Sequence, residues 1–164
     1  MPMLDVYIPE GALPADTERE LLGRLTDILL RAEGADPANP QARSIAWAFV
    51  HRPAVFVAGA PAEEPRYRVV ASVPEGQLDD RRREALVAEI TRAILDAEKG
   101  PGAHTALDAL RVWVFPQEVP EGQWGGGGHI YRLADIAGFV LGDAEAGARY
   151  AAGRLAGTAA AGRA

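Results

Sequence analysis

The sequence contains no cysteine, and this absence excludes several kinds of chemistry. A chain without thiols forms no disulfide framework, no thiolate metal site and no cysteine nucleophile. Histidine is scarce as well, since His51, His104 and His129 are the only three among 164 residues. They lie far apart in sequence with no metal-ligand spacing. We therefore expect no metal site.

Basic residues are outnumbered by acidic ones. The chain has 17 Lys and Arg against 23 Asp and Glu, which gives a formal net charge of −6 and a pI near 5.1. This charge disfavours binding to nucleic-acid phosphates or to an anionic membrane surface, so we expect neither partner. The chain also lacks a long apolar run and a basic segment followed by an apolar one. We therefore predict no transmembrane helix and no signal peptide, and expect a cytoplasmic protein.

The chain does contain an internal duplication. Residues 7–13 and 72–78 share a Pro-Glu-Gly turn followed by a leucine two positions later, at an offset of 65 residues (74 minus 9). The next segments share an apolar helix face at the same offset. In that face Leu21, Leu22, Leu25, Leu29 and Leu30 correspond to Leu86, Val87, Ile90, Ile94 and Leu95. A second strand then matches between residues 45–50 and 111–116, with the offset now 66 (111 minus 45).

Each half thus has the order strand, turn, helix, strand, which is typical of a right-handed parallel β-α-β unit. Two units predict an α+β fold in which tandem β-α-β repeats form a four-stranded sheet with two helices on one face. We predict a single domain at 1–141, with repeat one at 2–66, repeat two at 67–131 and a short C-terminal helix at 132–141. The Ala/Gly-rich tail at 142–164 is expected to be a loosely docked or mobile appendage.

The second face of this predicted sheet has no helix in the chain to cover it. An apolar sheet surface of that size is normally buried against a partner, so we expect self-association. The short apolar run at 54–57 and the segment around Trp124 are expected to pair with neighbouring subunits.

The amino terminus places a proline directly after Met1. Pro2 is small enough to permit removal of Met1, and a terminal proline carries a secondary amine, whereas an internal proline has no N–H. An α-amino group titrates at about 7.7–8.0 in water, and an apolar pocket lowers this pKa because desolvation disfavours the cation. Pro2 is therefore a candidate general base at neutral pH. The alternative is an ordinary surface strand.

Together the repeat, the terminal proline and the turns resemble the tautomerase superfamily, in its fused members with two β-α-β units per polypeptide. Residues 8–11, Ile-Pro-Glu-Gly, resemble the turn of oxalocrotonate tautomerase-like sequences. Residues 118–128 resemble the family's C-terminal hairpin, and residues 46–57 resemble the branch that includes cis-chloroacrylic acid dehalogenase. The resemblance implies Pro2 as the catalytic residue, no cofactor, and a homotrimer of fused chains.

The resemblance also implies candidates for substrate binding. Arg111 aligns with a family arginine at the start of the last strand, and Trp124 resembles the aromatic wall of the family's pocket. Arg68 is a further candidate because it follows Tyr67, the position equivalent to Pro2 in the second repeat. His51 and Arg52 are candidates because they lie at the end of the second strand. The alternative for the charged candidates is a solvated side chain, and for Trp124 a core or interface aromatic.

Several family residues are missing. Ala12 and Gln77 stand where oxalocrotonate tautomerases carry a carboxylate-binding arginine, and the dehalogenase's paired arginines fall on Pro74 and Gln77. The histidine, tyrosine and glutamate that activate water in the dehalogenase correspond approximately to Leu29, Phe115 and Gly126 in this sequence. A dehalogenase reaction and a dianionic substrate are therefore both in doubt.

The resulting prediction is an isomerase. We expect a cofactor-independent tautomerase that interconverts the keto and enol forms of a small carbonyl compound, with Pro2 as general base. One alternative is a hydratase, dehalogenase or decarboxylase type of reaction, and another is nucleophilic attack by the prolyl amine to form an iminium. The alternative outside catalysis is a trimeric binding scaffold.

Overall fold

The computed structural model describes residues 2–161, with side chains through residue 157. In chain order the elements are β1 (Met3–Tyr7), α1 (Ala15–Glu33), α2 (Pro40–Ser44), β2 (Trp47–His51), β3 (Phe56–Val57), β4 (Ala60–Pro61), β5 (Tyr67–Pro74), α3 (Asp80–Lys99), α4 (Ala106–Ala109), β6 (Val112–Val119), β7 (Trp124–Gly126), β8 (His129–Tyr131), α5 (Leu133–Leu141) and α6 (Ala144–Ala161). No helix in the described part of the chain has both the length and the apolar character that crossing a membrane requires.

The central sheet has the strand order β2-β1-β5-β6. β1 pairs in parallel with β2, and β5 pairs in parallel with β6, so both predicted β-α-β units are present. The units join through β1 and β5, which run antiparallel with Met3 opposite Ser72. The predicted α+β fold with a four-stranded sheet is confirmed.

One face of the sheet forms the core with α1 and α3. Along β1 the residues Leu4, Val6 and Ile8 alternate inward, as a half-buried strand requires. The helix residues that face them are Leu21, Leu25, Leu29, Leu30, Leu86, Ile90, Ile94 and Leu95, all buried. The two helices therefore bury the faces that the leucine spacing predicted.

The other face of the sheet is open in a single chain. Trp47 and Trp113 are 64% and 65% exposed, and Phe49 and Phe115 are 46% and 44% exposed. Four large aromatic side chains on one sheet face exceed what an isolated soluble domain normally leaves in water.

Two short ribbons lie beyond the sheet. Phe56 and Val57 pair with Pro61 and Ala60 of the same chain, and the pairing of this run with a neighbouring subunit stays a prediction. Trp124 begins the second ribbon, in which β7 pairs antiparallel with β8.

The segment 142–164 was expected to be a loosely docked or mobile tail, and its last three residues, 162–164, lie outside the described part of the chain. Residues 144–161 form α6, which folds back on the predicted short helix α5. Gly138 and Gly147 allow the two helices to approach so closely that a Cβ on Gly147 would collide with the Gly138 backbone. Small residues thus made the tail look poor in core-forming side chains, yet they are what permits this close packing.

Candidate active site

Pro2 lies buried at the start of β1, beside the first residue of β2. Its carbonyl oxygen accepts a hydrogen bond of 3.2 Å from the backbone N–H of Trp47. The central strand pairing therefore fixes the position of this residue before any side chain is considered.

Two cavities meet at Pro2. The first, here called the inner cavity, has a volume of about 310 Å³ and lies between the end of α1 and the pair α5 and α6. Its walls include the apolar side chains Leu30, Ile45, Leu133, Ile136 and Val140. Its polar side chains are Glu33, Asp36, Asn39, Gln77 and Tyr150.

The second, here called the aromatic cavity, has a volume of about 440 Å³ and lies between β2, the β7–β8 ribbon and α5. Its walls are largely aromatic, with Trp47, Phe49, Trp124, Tyr131 and Phe139. Three residues, Pro2, Ile45 and Ile136, line both cavities. The prolyl residue therefore stands at the junction of two apolar spaces.

The charged side chains that line the two cavities are all acidic. Glu33 and Asp36 line the inner cavity, and Asp135 lines the aromatic cavity, whereas no Arg, Lys or His among the described residues lines either one. The described residues also contain no group of three or more His, Asp or Glu side chains arranged to hold a metal ion.

Glu33 is the least solvated of these acids, with 8% of its surface exposed. It is the last residue of α1, which ends at Gly34 in the left-handed conformation at φ 85°. No hydrogen bond or ion pair reaches its carboxylate from the side chains that the structure describes, which end at residue 157, or from the described backbone. Burial raises the pKa of Glu33 from 4.5 to about 7, and the positive charge of the amino terminus opposes this rise.

Helix α6 closes the inner cavity from above. The Tyr150 hydroxyl lies 2.8 Å from Oε1 of Gln77 and 3.1 Å from the backbone oxygen of Glu33, as a donor shared between them. Arg154 donates to the same backbone oxygen at 3.3 Å and to the Tyr150 hydroxyl at 3.1 Å. These contacts join the C-terminal helix to the end of α1.

Of the predicted substrate-binding residues, the structure brings only Trp124 together with Pro2 in a cavity. His51 lies on the open sheet face, where Nε2 is 2.7 Å from Oδ1 of Asp5 and the ring stacks on Tyr7. Arg68 lies on the same face, with its guanidinium over the rings of Tyr7 and Phe115.

Arg52 and Arg111 are also placed outside both cavities. Arg52 forms two hydrogen bonds of 2.8 and 2.7 Å with the carboxylate of Glu18. Arg111 is buried at the end of the sheet opposite Pro2, where it donates two hydrogen bonds of 2.9 and 2.8 Å to Glu98. This pairing occupies the guanidinium in the single chain, and a role of Arg111 in substrate binding stays a prediction.

Glu33 was not among the predicted site residues, although the repeat contains a signal for it. Glu33 corresponds to Glu98 at the offset of 65, and Ile45 corresponds to Arg111 at the offset of 66. The first repeat thus keeps the carboxylate and lacks the arginine. Pro74 and Gln77, the positions that resemblance assigned to paired arginines, both line the inner cavity as neutral side chains.

No protein-family model matches this sequence, and no curated protein matches it. Solved structures do match. A fused 4-OT described as a wild type asymmetric trimer is 21% identical with a TM-score of 0.60, over 78% of this chain and 94% of that chain. The macrophage migration inhibitory factor of Toxoplasma gondii is 12% identical with a TM-score of 0.60, over 79% and 99%.

A member of the cis-3-chloroacrylic acid dehalogenase family is 17% identical with a TM-score of 0.60, over 78% of this chain and 82% of that chain. At such identities the likeness concerns the fold. The strand order, the two β-α-β units and these neighbours together show that this chain has the tautomerase fold in its fused, double form.

Proposed function

We propose that this protein is a cofactor-independent tautomerase of a small carbonyl compound, with Pro2 as the general base. The observation that carries the proposal is the burial of Pro2 at the junction of two largely apolar cavities. A desolvated amine favours its neutral form, so it can accept a proton near pH 7.

The reaction needs only one proton carrier. With Met1 removed, the neutral prolyl nitrogen takes the proton from the hydroxyl of an enol as the carbonyl bond forms. The resulting prolyl ammonium then returns a proton to the neighbouring carbon, and the amine is neutral again. Trp124 and the other aromatic walls give this exchange largely apolar surroundings.

We also propose a homotrimer. Similar solved structures are described as trimers of fused 4-OT. In this chain the exposed aromatic face of the sheet, with Trp47, Phe49, Trp113 and Phe115, offers the surface that assembly would bury. Sedimentation or light scattering tests the assembly directly.

A non-catalytic binding scaffold is the second candidate. The observation that favours it is the lack of any cationic side chain on the described walls of the two cavities, since catalysis at a carbonyl usually employs a group that stabilises negative oxygen. Turnover separates the two functions.

The test combines turnover with titration of the amine. Enols of phenylpyruvate and of neutral ketones are offered to the wild-type protein, to Pro2→Ala and to Pro101→Ala, a control in an exposed loop. We expect Pro2→Ala to lower kcat/KM by about a hundredfold or more and Pro101→Ala to leave it unchanged.

An NMR titration of the Pro2 nitrogen, with intact mass showing loss of Met1, should give a midpoint near neutrality. Absence of turnover across a wide substrate panel, or full activity of Pro2→Ala, contradicts the tautomerase and supports the scaffold.

A further inference from the structure

The charges around Pro2 are one-sided. Asp36 and Asp135 each accept a backbone hydrogen bond of 2.8 Å, from Ala38 and Arg132 respectively. Glu33 has no comparable bond to its carboxylate from any described backbone or side-chain atom. The least solvated carboxyl group of the site is therefore also the one whose charge the described surroundings compensate least.

The second repeat shows what the missing compensation looks like. There the equivalent carboxylate, Glu98, is held by two hydrogen bonds from Arg111. In the first repeat the position of that arginine is occupied by Ile45, which lines both cavities. In the first repeat, therefore, the carboxylate has no guanidinium partner. The space that the arginine fills in the second repeat remains open beside Pro2.

The nearest cationic side chains bind elsewhere. Arg154 of α6 donates to the backbone oxygen of Glu33 and to Tyr150, and Arg82 of α3 donates to the backbone oxygen of Gln77. Neither forms an ion pair with Glu33 or lines the inner or the aromatic cavity.

We propose that the Pro2 cavities take an uncharged carbonyl compound, and that Glu33 is the specificity-determining residue that rejects an analogue carrying a carboxylate. This inference rests on the proposed function for its catalytic readout. Two like charges inside a water-poor site repel strongly, so an anionic substrate pays a cost that its neutral counterpart does not.

The discrimination depends on pH because Glu33 titrates in the accessible range. Above its pKa of about 7 the side chain is ionised and repels a carboxylate, and below that value it is neutral and does not. The titratable groups that line the inner cavity with it are Asp36 in the following loop and Tyr150 on α6. Arg154 of α6 and Arg82 of α3 lie near the adjacent Gly34, and the charge of the amino terminus lowers the pKa of Glu33.

The experiment compares the enol of phenylpyruvate with the enol of its methyl ester, which differ by one charge. The ratio of their kcat/KM values is measured at pH 6 and pH 8.5, so that the protonation of Pro2, common to both substrates, cancels. We expect the wild-type protein to favour the ester about tenfold more strongly at pH 8.5 than at pH 6.

Glu33→Gln should give a ratio that does not change with pH and lies near the low-pH ratio of the wild-type protein. Glu20→Gln is the matched control, because Glu20 is exposed on the same helix and should leave the wild-type profile intact. Circular dichroism confirms that each variant is folded.

A binding measurement separates this inference from the proposed function. Calorimetry with benzoylformate and its methyl ester, neither of which has an enolisable carbon, gives the same charge comparison without turnover. Preference for the ester in binding but no turnover supports the substrate class and overturns only the tautomerase. Turnover with a preference for the carboxylate at pH 8.5, or a pH-dependent ratio retained in Glu33→Gln, overturns this inference and leaves the tautomerase standing.

Discussion

Glu33 and Glu98 occupy corresponding positions in the two repeats, yet their surroundings differ in charge and in space. Glu98 is paired with Arg111, and their side chains are 12% and 5% exposed. Glu33 faces a cavity of about 310 Å³ with Ile45 where the arginine would be. The two repeats thus place corresponding positions at the two ends of one sheet. An ion pair fills one end, and a cavity borders the other.

The residue that precedes or begins the first strand of each repeat also differs between the two ends of the sheet. In the second repeat the position of Pro2 is taken by Tyr67, a buried ring whose hydroxyl has no hydrogen-bond partner among the described residues. Burial raises the pKa of Tyr67, the charge of Glu98 adds to the rise, and Arg111 opposes it. A large neutral phenol and an ion pair close this end, whereas a small proline at the other end borders two cavities.

The largest effect should come from breaking the closed end. Glu98→Gln removes the carboxylate that Arg111 binds in two places and leaves the buried guanidinium with Asp108, 3.2 Å away, as its remaining buried carboxylate. Loss of one member of a buried ion pair typically costs about 3–5 kcal/mol of unfolding free energy, and because Asp108 stays in place we expect a loss at the lower end, about 3 kcal/mol. Urea unfolding at pH 7.5 measures the change.

Glu18→Gln serves as the control, because Glu18 also binds an arginine in two places, but that partner, Arg52, is 41% exposed. Solvent screening should limit its loss to about 1 kcal/mol. Equal losses in the two variants would contradict the idea that burial of Arg111 makes the second end depend on its ion pair.

The same substitution at the open end should have the opposite sign. The folded protein holds a proton on Glu33 more tightly than the unfolded chain does, because burial raises its pKa from 4.5 to about 7. Its stability contribution therefore becomes unfavourable as pH rises through this window and is most unfavourable above pH 7. At about 1.4 kcal/mol per pKa unit, Glu33→Gln should stabilise the fold by up to about 3 kcal/mol at pH 8.

At pH 4.5 the gain from Glu33→Gln should nearly vanish, since the glutamate is then protonated in the folded state. Urea unfolding of both proteins across this pH range tests the sign. A gain that does not depend on pH would mean that packing, and not the charge of Glu33, separates the two variants.

The duplication explains why the sequence predicted the sheet and its helices. Leucines at helical spacing and repeated Pro-Glu-Gly turns are local signals, and each half reinforced the reading of the other. The closing turns need a residue with positive φ, and Gly11 and Gly76 supply it at φ 73° and 85°.

The site was predicted less completely, because its side chains come together only through tertiary packing. Pro2 and Trp124 were identified from the resemblance, and both line the aromatic cavity. For Arg111 the sequence shows the charge but not Glu98, the partner that binds it in the single chain. Glu33 and Ile45 could have been found by comparing the two repeats. The glutamate is present in both halves, whereas the arginine is present only in the second.

The docking of helix α6 beside the inner cavity could not be predicted from the sequence. Residues 144–161 have few large apolar side chains, so periodicity gives no clear inward face. The helix docks instead through close backbone approach and through Tyr150 and Arg154, which contact the end of α1. Contacts between residues more than a hundred positions apart leave no local pattern.

A smaller loss of stability should follow from moving α6 away from α5. In Gly147→Ala the new methyl group would collide with the backbone of Gly138 and lie 2.7 Å from the carbonyl oxygen of Ala134. Because backbone atoms cannot turn aside, α6 must move away from α5, at a cost of about 1–3 kcal/mol. The better helix propensity of alanine offsets about 1 kcal/mol of this cost. We expect a lower midpoint of thermal unfolding.

Gly153→Ala provides the comparison, since it lies in the same helix and a methyl group there meets no atom within 4 Å. It gains the helix propensity without the collision, so its midpoint should rise slightly. The difference between the two variants isolates the contact of α6 with α5 from the intrinsic stability of α6. If both alanines stabilise the protein equally, α6 does not dock at Gly138 in solution, and the inner cavity beside Pro2 and Glu33 is open on that side.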